Sequence, residues 1–192
     1  MAVNVTNLIL GPATLYTAPF GSAGATEPTD AQVNLTPASS AGWIDAGGTV
    51  GGVKLSINQT YTVLNVDQVV DTVGRRLTSR DIQVITQMAE ATLDNLAVAI
   101  NGGTVATAAA PVLKTYDPAT ALSATQPAYT AILFDGWAPN QFRRRVIVRK
   151  CLSMASVDTE YREDAQALWP VSWGAHYVSS VITPFHICDA SQ

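Results

Sequence analysis

The chain has 192 residues, a formal net charge of −4 and a charged fraction of 14%. This length predicts one domain, residues 1–192, around one main core. The acidic balance argues against nucleic-acid binding as the main task, because affinity for phosphate comes from clustered cations. So few charges favour a protein that buries much of its surface against a partner.

Targeting and redox signals are sparse. The start, MAVNVTNLIL, lacks the basic region and cleavage site of a signal peptide. No apolar run approaches the ~18 residues that cross a bilayer. Two cysteines, Cys151 and Cys188, are too few for a disulfide scaffold. We therefore expect a protein made in a cytoplasm, without a membrane segment.

The first quarter of the chain is rich in small residues. Residues 3–20 are predicted to form one or two short strands, with a turn at Gly11-Pro12. Residues 21–52 read as a long loop, with Trp43 as its one large anchor. A second tract of small residues, 103–128, is also predicted to be a long loop.

Two long alternating segments lie between these tracts, VKLSINQTYTV (53–63) and RRLTSRDIQVITQMA (75–89). Apolar and polar residues alternate in both, which is the period of a half-buried strand. At ~3.3 Å per residue each strand could span ~35 Å. The connection between them carries Asp67 and Asp71. These segments predict a long projecting hairpin, which usually needs a partner to pair with.

Cations are concentrated in two places. Arg75, Arg76 and Arg80 are predicted to lie at the base of the hairpin. The second group is a basic run with no interleaved aromatic residues: Arg143, Arg144, Arg145, Arg149 and Lys150. Ion pairs at a subunit boundary are the favoured interpretation of both groups, with Asp67, Asp71 or an acidic cluster near 158–164 as partners.

One short helix follows the hairpin. Thr92 can cap its N-terminus, Asp94 suits the first turn, and Gly102 is the predicted C-terminal glycine. Leu93, Leu96, Ala97 and Ile100 form one apolar stripe. We expect this helix to brace the sheet through Leu93, Leu96 and Ile100.

The C-terminal half reads as strands. Residues 129–134 should end at an Asp135-Gly136 turn, 143–154 form a longer strand, and 157–166 form an exposed acidic connection. Further strands are expected within 168–181 and 182–188, with Pro170 confined to a strand start or edge. The whole pattern predicts a mainly β fold: an antiparallel β-sandwich or partly closed barrel, with one short flanking α-helix and the projecting hairpin.

No catalytic motif is recognisable: GxSxG, P-loop, GxGxxG and HExxH are all missing from the sequence. His186 and Cys188, with Cys151 and His176, could bind zinc only on paper, because they lack the close pairing of zinc modules. The acidic residues Asp158, Glu160, Glu163 and Asp164 lack an EF-hand pattern. We expect neither an enzyme, nor a cofactor, nor a metal site.

Three motifs, in order, resemble those of the major tail (tail tube) proteins of long-tailed, non-contractile bacteriophages. The first is GWIDAG at 42–47 followed by Gly52-Val53, although Gly51 stands where the family often has an acidic residue. The second is RLTS at 76–79 followed by QMAEATLDNL at 87–96. The third is Leu168, Pro170 and Val171, which echo a family L-P-V that Trp169 interrupts.

The resemblance implies a virion protein, assembled in the host cytoplasm. Hexameric rings would stack into a hollow tube, with hairpin strands lining its lumen. The tube would surround a tape-measure protein, meet tail terminator and distal tail proteins, and conduct DNA that it does not bind specifically. Asp67 and Asp71 are candidates for an acidic lumen wall.

Two alternatives remain open. One is another ring-forming virion component, such as a tail terminator or head–tail connector, whose rings would not polymerise. The other is a carbohydrate-binding module. Trp169 and Trp173 are four residues apart on a predicted strand and could offer one face to a sugar, although core or interface packing is the commoner role of such residues.

Overall fold

The computed structural model describes residues 3–21, 26–38, 41–119 and 126–190. It is mainly β with antiparallel pairing and one short α-helix, so the predicted fold class is confirmed. The strands are β1 (Thr14–Pro19), β2 (Ile44–Asp45), β3 (Thr49–Leu64), β4 (Gly74–Met88), β5 (Thr104–Ala109), β6 (Val112–Asp117), β7 (Thr130–Trp137), β8 (Arg143–Ser153), β9 (Trp169–Ala175) and β10 (Phe185–Asp189). The helix is α1 (Leu93–Ala99).

One eight-stranded sheet forms the body, in the order β2-β1-β7-β8-β9-β4-β3, with β10 paired to β8. The two ends of this order, β2 and β3, are joined by residues 46–48 alone. Ala46 N–H donates to the Leu15 carbonyl at 2.9 Å, and Ala89 N–H donates to the Gly48 carbonyl at 2.8 Å. The sheet therefore curls until its two edges meet at one corner, which is the geometry of a partly closed barrel.

Alternation along the central strands builds two cores. The larger core receives side chains from α1 and from five strands, including Leu15, Val84, Met88, Ile132, Val148 and Trp173. The smaller core lies on the opposite face and contains Tyr16, Ala18, Trp43, Ala131, Leu133 and Ile147. Neighbouring residues of β8 enter different cores because successive side chains leave a strand on opposite faces.

Helix α1 begins as predicted and ends differently. The Thr92 hydroxyl accepts from Asn95 N–H at 3.2 Å, and Asp94 lies in the first turn. Asn101, rather than Gly102, is the left-handed residue after the helix (φ 61°), and Gly102 N–H donates to the Ala97 carbonyl at 2.8 Å. This is a Schellman motif in which asparagine takes the usual place of glycine.

The apolar stripe of α1 is also displaced from the prediction. Leu93 is half-buried, Leu96 packs against the larger core and Ala99 is buried. Ile100 is 41% exposed, so its predicted place in the brace is wrong. The helix has only two turns, and its core-facing side runs from Leu96 to Ala99 at a spacing of three residues.

Three other predicted segments need correction. Residues 3–10 contain a 3₁₀ turn at Val5–Asn7 and no strand. The predicted loop 103–128 contains the two-stranded hairpin of β5 and β6, although 120–125 lie outside the described residues. Asp135-Gly136 is no turn: both residues lie inside β7, because Asp135 is held by the buried Arg145 of β8.

Candidate assembly interface on the hairpin of β3 and β4

The largest structural feature outside the body is the hairpin formed by β3, with 16 residues, and β4, with 15. At about 3.3 Å per residue its strands are ~50 Å long. Strand β9 pairs with β4 only from Gln83 to Met88. Within the described part of the chain, the edge of β4 that faces away from β3 has no strand partner at residues 74–82, and the outer edge of β3 has none either. The hairpin thus leaves two strand edges free for pairing with another chain.

One face of the hairpin is largely apolar, although Arg80 opposite Gln59 and Arg75 opposite Val63 lie on it. The register places Leu55 opposite Val84, Ile57 opposite Ile82 and Tyr61 opposite Leu77, and directly opposed residues share a face. Near the body this face enters the larger core. Farther out it faces solvent: the exposed fractions are 40% for Ile57, 50% for Tyr61 and 43% for Val63. The core-facing side of the sheet therefore continues beyond the part of the chain that could cover it.

The opposite face is polar and short-chained. It contains the opposed pairs Ser56–Gln83, Asn58–Asp81, Thr60–Ser79 and Thr62–Arg76. Gln83 Nε2 donates to Asp81 Oδ2 at 2.7 Å, which holds two of these side chains together. This face also carries Lys54 and Arg76 against the single carboxylate of Asp81, while most of its other side chains are uncharged and exposed.

Two register shifts bend the hairpin. The first lies near the body, between Val50 and Lys54, where Gly51 and Gly52 have φ of 75° and 76°. The Thr86 hydroxyl donates to the Gly52 carbonyl at 2.8 Å across this bulge. The second lies between Thr60 and Tyr61. Bulges increase the local twist of a strand and redirect it, so they set the direction in which the hairpin leaves the body.

The distal connection, residues 65–73, carries both charge and apolar surface. Val69 N–H donates to the Val66 carbonyl at 3.0 Å around Asp67. Asp67 and Asp71 are exposed. Four valines are exposed beside them, namely Val66, Val69, Val70 and Val73. The sequence prediction missed this apolar end, although the spacing of its valines was visible in NVDQVVDTVG.

Arg75, Arg76 and Arg80 are exposed. Arg75 and Arg76 do not lie where they were predicted, whereas Arg80 lies three residues from Gln83, where pairing with β9 begins. Gly74 pairs with Leu64 next to the connection, so Arg75 and Arg76 lie near the distal end of the hairpin rather than at its base. Residues 77–82 face Ala175–Tyr177 across a cleft of about 300 Å³. The placement was wrong because the strand following a hairpin turn starts at the tip and ends at the body.

The predicted partners of the basic run are corrected by the structure. Arg143 and Arg145 both contact Asp135, and Arg149 contacts Glu27 at 2.7 Å. Arg144 contacts Asp189 at 2.6 Å, and hydrogen bonding from Arg144 lowers the pKa of that carboxyl. The Lys150 ammonium lies 4.4 Å from the centre of the Tyr129 ring. These cations are satisfied within the chain, not by Asp67, Asp71 or the cluster at 158–164.

The Asp135 carboxylate holds a strap, which we define as residues 26–38, over the smaller core. Arg145, 2% exposed, donates to both Asp135 oxygens at 2.8 Å and to the carbonyls of Gln32 at 2.9 Å and Leu35 at 2.6 Å. Trp43, 3% exposed, donates from Nε1 to the Thr26 carbonyl at 2.9 Å. Trp43 thus anchors the start of the strap where the sequence predicted a loop anchor.

The four residues considered as zinc ligands are not brought together in the structure. Cys151 is buried, which raises the pKa of its thiol to about 12. His176 packs edge-on against Tyr129, and His186 Nε2 lies 2.8 Å from Asp30 Oδ1. No group of three or more His, Cys, Asp or Glu in the described ranges is placed to hold a metal ion. In the cluster at 158–164, Arg162 lies 3.4 Å from Glu160.

The proposed sugar platform is wrong. Trp169 and Trp173 do share a strand, but both are buried in the larger core. A buried ring cannot stack on a sugar in solution. Both tryptophans pack in the core, which is the commoner role of such residues. Their strand, β9, lies between β4 and β8 with its apolar side facing the core.

Comparison with known proteins adds no family. No helix in the described ranges combines the length and apolarity that crossing a membrane requires. No protein-family model matches the sequence, and no curated protein matches it.

Proposed function

We propose that this protein is a structural subunit of a tube built from stacked hexameric rings, of the kind that forms the tail tube of long-tailed, non-contractile bacteriophages. Within a virion, such a tube would surround a tape-measure protein, meet terminator and distal tail proteins at its ends, and conduct DNA. The protein would be assembled in the host cytoplasm. The proposal assigns it no catalysis and no cofactor.

The observation that carries this proposal is the hairpin of β3 and β4. It is ~50 Å long, has two edges without a strand partner among the described residues, and has one apolar and one polar face. A lone subunit gains nothing from exposing Ile57, Tyr61 and Val63 to water. In a ring, neighbouring hairpins would close the free edges, and the apolar faces would be buried.

The two faces also suggest an orientation within the tube. The apolar face continues the core side of the sheet and would pack against protein. The polar face, with Ser56, Asn58, Thr60 and Thr62, would then line the channel. Most of this wall is made of short hydroxyl and amide side chains, and its two cations, Lys54 and Arg76, lie at opposite ends of the hairpin and not in a cluster, so DNA would be retained only weakly.

Negative-stain electron microscopy of the purified protein at increasing concentration tests the proposal. Tubes or stacked rings with a central channel are the expected result. Isolated rings that never stack would favour a terminator or connector. Particles that remain monomeric at high concentration would overturn the proposal.

A shortened hairpin provides the matched control. Residues 59–80 are replaced by Asn-Gly, which joins the opposed residues Asn58 and Asp81 through a two-residue turn. The body keeps both cores, since none of the removed residues belongs to either of them. We expect this variant to fold, to melt cooperatively and to form no rings. Rings from the shortened protein would show that the hairpin is not the assembly element.

A further inference from the structure

The distribution of unpaired charge points to one contact between copies of the chain. Most cations of the body contact an acid or an aromatic ring within the chain: Arg143, Arg144, Arg145, Arg149, Lys150, Arg162 and Lys114. The cations without such a contact among the described residues are Lys54, Arg75, Arg76 and Arg80. All four lie on the hairpin of β3 and β4.

The distal end of this hairpin carries both signs of charge. Arg75 and Arg76 begin β4, and Asp67 and Asp71 lie in the connection that precedes it. All four side chains are exposed, and none is within 4.0 Å of an opposite charge among the described residues. Two cations and two carboxylates thus lie within ten residues of one another without pairing.

Strand geometry explains why they do not pair within one chain. Opposed residues share a face, and the residues opposite Arg75 and Arg76 are Val63 and Thr62, which carry no charge. Arg75 and Arg76 are neighbours and leave the strand on opposite faces. The carboxylates lie beyond the last paired position, Leu64 with Gly74. The arginines therefore belong to the β4 side of the hairpin and the carboxylates to its end.

We propose that Arg75 and Arg76 of one copy pair with Asp67 and Asp71 of the next copy, so that a circle of ion pairs joins the hairpin ends around the ring. This inference rests on the proposed ring assembly. The contact is heterologous, because two cations of one copy meet two different, anionic residues of its neighbour, and such contacts form a ring when the rotation between neighbours closes. Charge complementarity of this kind fixes the register between neighbouring hairpins and selects the correct neighbour.

Complementary charge-reversed variants test the pairing. Variant one carries Arg75→Glu and Arg76→Glu, so that both its patches are acidic. Variant two carries Asp67→Lys and Asp71→Lys, so that both its patches are basic. Each variant alone places like charges together at every contact, and we expect its critical concentration for assembly to rise roughly tenfold or more. An equimolar mixture restores opposite charges at every contact if the two variants alternate, and six positions allow such alternation.

The expected result is therefore that neither variant assembles alone near the wild-type threshold and that the mixture does. Sedimentation velocity measures the threshold, and raised salt should increase it for wild type and mixture. Lys54→Glu is the matched control: it reverses the unpaired cation at the proximal end of the same hairpin and should leave the threshold unchanged. Far-ultraviolet circular dichroism and melting establish that each variant is folded, as expected for exposed positions.

Three results overturn the inference. If wild type assembles and both variants assemble equally well alone, the ion pairs do not exist, while the ring proposal stands. If both variants fail and the mixture also fails, the four residues do not contact one another between copies. A wild-type protein that never self-associates overturns the ring proposal itself, and the ion-pair contact with it.

Discussion

At the scale of single residues, Asp135 is the carboxylate that fixes the position of the strap. It lies inside β7, is buried, and receives hydrogen bonds from Arg143 and Arg145 of the neighbouring strand. Arg145 and Arg143 in turn donate to carbonyls of the strap, at Gln32, Leu35 and Asn34. Burying charges costs free energy even when they pair, so the benefit of this cluster is a fixed position for the strap.

Replacing Asp135 by alanine should therefore be severely destabilising. It leaves the Arg145 guanidinium buried without its counter-charge, and we expect the free energy of unfolding to fall by about 3–5 kcal/mol. Urea denaturation followed by tryptophan fluorescence measures the change. Asp164→Ala is the control, because the Asp164 side chain is 83% exposed and should change stability by less than ~0.5 kcal/mol. Equal effects of the two substitutions would contradict a stabilising role for the pairing of Asp135 with Arg145.

The two cysteines should differ in reactivity. Burial raises the pKa of Cys151 to about 12, and the thiolate is the species that reacts with alkylating agents. Burial and nearby Asp30 also raise the pKa of Cys188, but this residue is only partly buried. Iodoacetamide at pH 8 should therefore modify Cys188 slowly and Cys151 hardly at all, as read by mass spectrometry. Rapid modification of Cys151 in the folded protein would contradict its buried position.

The raised pKa of Cys151 also makes the free energy of unfolding depend on pH. Its folded pKa lies above the unfolded value of 9.0, so its contribution to stability is fully present below about pH 9. That contribution is lost progressively as the pH rises toward 12, because the unfolded thiol ionises while the buried thiol does not. Cys151→Val should flatten the decline in the free energy of unfolding above pH 9, and Cys188→Val should flatten it less.

At the scale of elements, α1 depends on its N-terminal cap. The Thr92 hydroxyl satisfies one of the backbone N–H groups that a helix leaves free in its first turn. Thr92→Ala should lower the free energy of unfolding by about 1 kcal/mol, as measured by urea denaturation. Thr107→Ala, on the exposed face of β5, is the matched control and should have a much smaller effect. A negligible effect at Thr92 would mean that water replaces the cap.

The long hairpin could be predicted from the sequence because its pattern is local. Alternation of apolar and polar residues identified both strands, and the buried parity of β4 is the predicted one, with Ile82, Val84 and Met88 buried. The glycine bulge extended β3 back to Thr49, beyond the predicted start at Val53. A bulge interrupts the period of two, so the pattern alone could not reach past it.

Other elements could not be predicted because their causes are not local. Strand β5 is built from Ala, Thr and Val, and both β5 and β6 expose most of their side chains, so no alternation of burial marks them. Asp135-Gly136 has the sequence of a turn and becomes part of a strand because Arg145, ten residues away, binds the carboxylate. Within the basic run, Arg149 likewise pairs with Glu27, which is more than a hundred residues away in the sequence.

At the scale of the whole molecule, the hairpin carries much of the uncovered apolar surface, and the N-terminal segment 3–10 carries more of it. The face with Ile57, Tyr61 and Val63 and the four valines of the connection are exposed together. Charges that could keep such a surface in solution are few, since only 14% of the residues are charged. A molecule that exposes this much apolar surface and carries so few charges is suited to association with other chains and poorly suited to remaining a monomer.

Substitutions on the two faces should separate assembly from folding. Changing Ile57 and Val63 to serine removes apolar area that is exposed in the subunit and, by our proposal, buried in the ring. We expect a loss of ~1–2 kcal/mol of association free energy per side chain, so the critical concentration should rise by about tenfold or more. Unfolding of the isolated subunit should change by less than ~1 kcal/mol.

Thr60→Ser and Thr62→Ser together form the matched control, because they change the polar face of the same strand and keep its hydroxyl groups. Sedimentation velocity gives the assembly threshold, and urea denaturation gives the stability of the subunit. If the apolar face packs against protein in the ring, only the first pair of substitutions raises the threshold. If the second pair raises it equally, the two faces have been assigned the wrong way round, and the polar face is the one that contacts a neighbour.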